Sequence, residues 1–193
     1  MTDDFSGPRD DYEVPRAPLR LSYWVSYPDF LAGAFPAVED REETRARLKA
    51  LAEAGIRTII NLTEPDEIQR YGPGTVDYKK LLSEIVAPDG SPLEMQRLSV
   101  PDFSTPTKAG MKEILDTIDS AIAAGNPVYV HCWGGHGRTG TVVGCYLARH
   151  GIAEGEEVIE HIMRLRRDTP DADYESPENP RQQDMVTGWK RGE

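Results

Sequence analysis

Cysteine is nearly absent from these 193 residues, occurring only as Cys132 and Cys145. Two thiols are too few for a disulfide framework, and they suit a reducing compartment. Long apolar runs are missing as well, and nowhere does the chain reach the roughly 18 consecutive apolar residues that would suggest a transmembrane helix. Positive charge is the third shortage: 22 Lys plus Arg stand against 33 Asp plus Glu, a formal charge of -11. A field of that sign repels nucleic acid and acidic membranes, whose binding needs clustered cations, so neither is an expected partner. Any anionic substrate must therefore be caught locally. The opening "MTDDFSGPRDDYEVPRAPL" lacks the basic-then-apolar pattern of a secretion signal and reads as a flexible arm over residues 1–20. A soluble, cytoplasmic protein is the expectation.

What is present suits one domain over residues 21–193, long enough to hide about 70% of the surface its unfolded chain exposes. "LSYWVSYPDFLAGAFPAV" has the aromatics and turn residues of one or two short strands. "EDREETRARLKALAEAG" reads as a helix burying Leu48, Leu51 and Ala52 and stopping at Gly55. "IRTIINL", "LEMQRLSV" and "PVYVH" read as strands. Between the first two, residues 63–92 form an excursion over the sheet edge, with Val76, Leu81, Leu82 and Ile85 on one short helical face. Thr105 and Pro106 are the expected cap and first-turn proline of a helix repeating Met111, Ile114, Leu115, Ile118 and Ile122 up to Gly125. Further helices are expected from Arg138 to His150-Gly151, over "EEVIEHIMRLRR", and over "NPRQQDMVTGWK". Strands alternating with helices predict an α/β fold, a mostly parallel central sheet flanked by helices.

The stretch "HCWGGHGRTG", residues 131–140, lies between a strand and a helix. Loop N–H groups converge there, and the first-turn amides and the helix dipole add positive potential. Trp133, Gly134, Gly135, His136, Gly137 and Arg138 are thus the expected phosphate cradle. Arg138, six positions after Cys132, can return its planar guanidinium to grip two anion oxygens. At the centre lies the Cys132 thiol, and cysteines in such fields have pKa values of roughly 3.5 to 7.5. Neither a paired Cys-x-x-Cys nor a His-x₃-His pattern accompanies the loop, which counts against zinc. Cys145, seven positions beyond Arg138 along the helix, reads as a packing residue.

"HCWGGHGRTG" resembles the His-Cys-five residues-Arg-Ser/Thr-Gly loop of the cysteine-dependent protein tyrosine and dual-specificity phosphatases, small bacterial members above all. The likeness runs from about "LAGAFP" to "SPENPRQQDMV". It implies a dual-specificity-phosphatase-like fold, no metal or other cofactor, and a set of roles. Cys132 would be the nucleophile that forms a cysteinyl-phosphate, and Arg138 the clamp on the transferring phosphoryl group. His131 would orient the loop and help hold the thiolate, and Thr139 would stabilise that thiolate as it departs. Asp102 in "VPDFSTP", 30 residues before the cysteine, would be the general acid. Gln182 would orient the attacking water, with Gln183 as competitor.

The resemblance also bears on substrate. Lysines inside this loop often accompany inositol lipids in the family, and here Trp133 and His136 stand in those places. The expected partner is therefore a phosphorylated protein, phosphotyrosine ahead of phosphoserine or phosphothreonine. His136 is expected at the rim, adding charge below about pH 6.5. The alternatives are a catalytically weak phosphate-binding module, a phosphatase of a non-protein phosphoester such as an inositol phosphate, and sulfur transfer or arsenate reduction. Oligomeric state is left open.

Overall fold

A computed structural model describes residues 14–193. Of the expected arm, positions 1–13 lie outside the described residues, whereas Ala17 and Leu19 pack against the body of the domain. The helices are α1 (Arg41–Glu53), α2 (Glu67–Tyr71), α3 (Lys108–Ala123), α4 (Gly137–Arg149), α5 (Glu157–Arg166) and α6 (Pro180–Gly188), with a 3₁₀ turn at Tyr78–Glu84. The strands are β1 (Ser22–Ser26), β2 (Phe30–Gly33), β3 (Thr58–Asn61), β4 (Glu94–Arg97) and β5 (Val128–His131). Among the described residues they form one sheet in the order β1-β2-β5-β3-β4. Only the β1–β2 hairpin is antiparallel; β2, β5, β3 and β4 run parallel. The expected α/β architecture is the one found.

Pleating sends alternate strand residues to opposite faces, which builds two cores. Val128 and Val130 of β5 join Phe30, Ala32 and Ile60 under α3, α4, α5 and α6. Tyr129 joins Leu31 and Ile59 under α1 and the 3₁₀ turn. Every residue of β5 is buried, so its C-terminal end, where His131 hands over to the loop, is held from both sides. Helix α4 is just as enclosed, with Gly137 through Ala148 all buried. Cys145 packs in the first core, and burial pushes its thiol pKa up, so it packs as an apolar residue.

The helix-start expectation at Thr105 and Pro106 needs correction. The cap is Thr107, whose hydroxyl accepts the Gly110 N–H at 3.0 Å, and Thr105 and Pro106 stay in the preceding loop. Both threonines can cap by their chemistry, and local pattern does not choose between them. In residues 63–92 Leu81 and Ile85 are buried and Val76 and Leu82 pack on the second core, as their spacing predicts. The separate short helix α2 has no counterpart in that reading.

Candidate active site

The loop from Cys132 to His136 joins the central strand to the central helix. Its backbone is pinned to its neighbours, with Phe35 N–H on the Trp133 carbonyl and Leu62 N–H on the His131 carbonyl, each at 2.9 Å. Gly135 has φ +83°, and a Cβ there would stand 2.7 Å from the Ala34 nitrogen, so only glycine fits. That conformation aims the Gly135 N–H at Cys132 Sγ, 3.3 Å away. Thr139, buried, was expected to serve the same sulfur. Its hydroxyl instead donates to the Gly33 carbonyl at 3.3 Å.

His131 is buried and held at both nitrogens, Nδ1 2.9 Å from the Cys132 carbonyl and Nε2 2.8 Å from the Tyr78 hydroxyl. Burial, with the charges of Arg97 and Arg138, lowers its pKa to about 3, partly offset by the Cys132 carbonyl. The imidazole is thus neutral, and because a carbonyl can only accept, Nδ1 carries the proton and Nε2 accepts from Tyr78. Its bond to the loop runs through the cysteine's own backbone.

Arg138 is buried and surrounded by acceptors. Glu67, itself fully buried on α2, holds it in a two-pronged pair, Oε1 on Nη1 and Oε2 at 2.9 Å on Nη2. The Val100 carbonyl accepts at 3.1 Å and Asp102 Oδ1 lies 2.9 Å from Nη2. Burial opposes the guanidinium charge, yet the Glu67 bonds and the charges of Cys132, Glu67 and Asp102 raise its pKa overall. Asp102 therefore stands at the site, beside the clamp. Its Oδ1 also accepts the Phe103 N–H at 3.1 Å, and the Tyr71 hydroxyl hydrogen-bonds the same carboxylate.

The segment from Ser176 to Gln182 lies against both the start of α4 and the loop that carries Asp102. Ser176 Oγ donates to the His136 carbonyl at 2.8 Å. Gln182 is buried; its Oε1 accepts the Glu178 N–H and its Nε2 donates to the Ser104 carbonyl, each at 3.2 Å. Gln183 donates to the Pro177 carbonyl. Gln182 is therefore the glutamine that joins this segment to the loop that carries Asp102. Glu178 was not foreseen: its Oε1 and the Gln182 amide occupy the space a side chain on Gly137 would need. Burial and the Asp102 charge push the Glu178 pKa up, against Arg138 and Gln182.

The ring of His136 corrects an expectation. Nε2 lies 2.6 Å from Asp171 Oδ2, and the ring is 5.3 Å from Tyr174. Burial and the Arg166 charge lower its pKa, with Asp171 pulling the other way, so the ring charges at more acid pH than its free value suggested. Trp133 lies between Phe35 and Tyr71, at 5.0 and 5.9 Å, as one wall of the mouth, while Gly134 is exposed. Tyr71, Phe103 and Tyr174, all exposed, add an aromatic rim.

Sequence reasoning missed Glu67, Tyr78 and Glu178. A buried guanidinium does demand a buried carboxylate. Yet residues 63–92 offer Glu64, Asp66, Glu67, Asp77, Glu84 and Asp89 with nothing to choose among them.

Sheet order, nucleophile loop and buried arginine together define a cysteine-dependent protein tyrosine/dual-specificity phosphatase fold. Residues 36–152, more than half of the chain, match the family described as polymorphic toxin system, DSP-PTPase phosphatase, and the chain belongs to that family. It is 45% identical over 69 residues to the dual specificity protein phosphatase CDC14B of Mus musculus, covering 36% of this chain and 14% of the mouse protein. It is 28% identical over 161 residues to the phosphatidylglycerophosphate phosphatase PTPMT2 of Arabidopsis thaliana, covering 80% of this chain and 61% of that one. The chain thus spans less than two thirds of the length of these relatives. A crystal structure of PTPMT1 in complex with PI(5)P has the same fold, with a TM-score of 0.63 and 24% identity over 87% of this chain and 93% of that one. No helix among the described residues is long and apolar enough to cross a membrane.

Proposed function

We propose that the chain hydrolyses phosphomonoesters through a cysteinyl-phosphate. The observation that carries this reading is the loop that sets Gly135 N–H on Cys132 Sγ, followed six residues after the cysteine by the buried Arg138 with Asp102 against its guanidinium. Cys132 Sγ attacks phosphorus and the P–O bond to the leaving group breaks. Arg138 and the amides from Trp133 to Arg138 stabilise the charge on the transferring oxygens, where most of the rate arises. Asp102, protonated, gives its proton to the leaving oxygen; ionised, it then takes one from the water that cleaves the S–P bond. Gln182, bonded to Glu178 and to the acid loop, orients that water. Thr139 serves the departing thiolate only if its hydroxyl leaves the Gly33 carbonyl.

Aryl phosphates, and phosphotyrosine in protein above phosphoserine or phosphothreonine, fit the aromatic rim. Lipid phosphate is the second reading, favoured by the likeness to PTPMT2 along 80% of the chain. Vanadate-sensitive release of phosphate from p-nitrophenyl phosphate, lost in Cys132→Ser, tests the chemistry; retained activity in that variant overturns it. A matched panel of phosphotyrosine peptides, phosphoserine peptides and phosphatidylglycerophosphate tests the substrate. Turnover of the lipid alone would replace the first reading with the second.

A further inference from the structure

Among the described residues the acid loop holds the one non-glycine residue with positive φ, Phe103 at 54°, and its side chain is exposed. A phenylalanine does not favour this backbone by itself, so neighbouring groups must hold it there. Two side chains grip the loop at that place, both from the far end of the chain. Asn179 Nδ2 donates to the Phe103 carbonyl and Gln182 Nε2 to the Ser104 carbonyl, each at 3.2 Å. The Phe103 N–H meanwhile donates to Asp102 Oδ1. The turn that Asn179 grips is therefore the turn that sets the Asp102 carboxylate beside Arg138.

We propose that Asn179 is a positioning residue for Asp102: its amide latches the acid loop, through the Phe103 carbonyl, in the conformation from which the carboxyl protonates the leaving group. This rests on Asp102 being the acid. The side chain has two tasks that a substitution can separate. Its Oδ1 accepts the Gln182 N–H at 3.1 Å and caps α6, which serine does nearly as well. Its Nδ2 makes the latch, and a serine hydroxyl falls short of the Phe103 carbonyl.

The test compares Asn179→Ser, Asp102→Asn and the double variant on phenyl phosphate, whose leaving group needs a proton, and on p-nitrophenyl phosphate, whose leaving group needs one far less. Asn179→Ser is expected to lower kcat about tenfold for the phenyl ester and about twofold for the nitrophenyl ester, with KM little changed. Added to Asp102→Asn, it should lower the rate by less than about twofold, because the latch has no acid left to position. Equal losses on the two esters, no loss on either, or a full additional loss in the double variant each overturn the latch. If Asp102→Asn shows the leaving-group dependence and Asn179→Ser does not, the latch alone falls. If Asp102→Asn lacks that dependence, the acid assignment falls and the latch with it. Should Asn179→Ser fold poorly, Asn179→Asp keeps the capping oxygen, removes the amide donor, and is read by the same ratio of esters.

Discussion

Between Cys132 and Arg138 the backbone is fixed mainly by packed backbone, a buried strand before, a buried helix behind and the end of β2 alongside, with the Ser176 side chain on the His136 carbonyl. Between Pro101 and Pro106 the chain is half exposed, and side chains from distant segments hold it, with Arg138, Tyr71, Asn179 and Gln182 each gripping one point. In the proposed mechanism the first loop would bind an anion whose position must not vary, and the second would bring up and withdraw a proton. Covalent continuity with packed elements gives rigidity, whereas a few side-chain bonds of about 1 kcal/mol each give a loop that can let go.

The largest effect is expected where the rigid loop is broken. Gly135→Ala forces a left-handed alanine into the Ala34 backbone, so about 2–5 kcal/mol of stability should be lost, read from the urea midpoint. Activity should fall alike for phenyl and nitrophenyl esters, since anion binding and not proton transfer is damaged. A loss confined to the phenyl ester would mean that the two loops are not separately held.

Acid should weaken the same side of the site. His131 has a folded pKa of about 3 against an ordinary value near 6.5, so the unfolded chain takes the proton first. Stability is therefore full above about pH 6.5 and falls toward pH 3, by up to about 1.4 kcal/mol per unit from this residue. NMR titration of the imidazole checks the cause: a His131 that charges near pH 6 would remove it.

The smallest effect is expected in the acid loop. Phe103→Gly relieves a left-handed residue but frees the unfolded chain by a similar amount, so stability should move by less than about 1 kcal/mol. The rate should fall by about twofold to fivefold on phenyl phosphate alone, as the loop's turn becomes one choice among several. A stability loss of several kcal/mol would show the loop to be as rigid as its partner.

Legibility followed the same division. Cys132, Gly135 and Arg138 lie close along the chain between a strand and a helix, so spacing alone points to their chemistry, and the family resemblance adds Asp102 by its place at a strand end. Glu67 is 71 residues from the arginine it holds, and Tyr78 is 53 residues from His131. Nothing in local pattern links such pairs. The helix-cap error at Thr105 is smaller: two threonines two positions apart had equal local claims, and Thr107 is the cap.

The sequence by itself determined the glycine-rich loop that carries Cys132 and Arg138 and most of the strands and helices around it, because each depends on neighbours within about ten residues: hydrophobic period, caps, and glycine where a side chain cannot stand. Only the tertiary structure decided which carboxylate answers the buried guanidinium, which nitrogen of His131 carries its proton, and what holds the acid loop in place. Those are matters of charge and hydrogen-bond partners in a shared interior, and the chain brings the partners together only by folding.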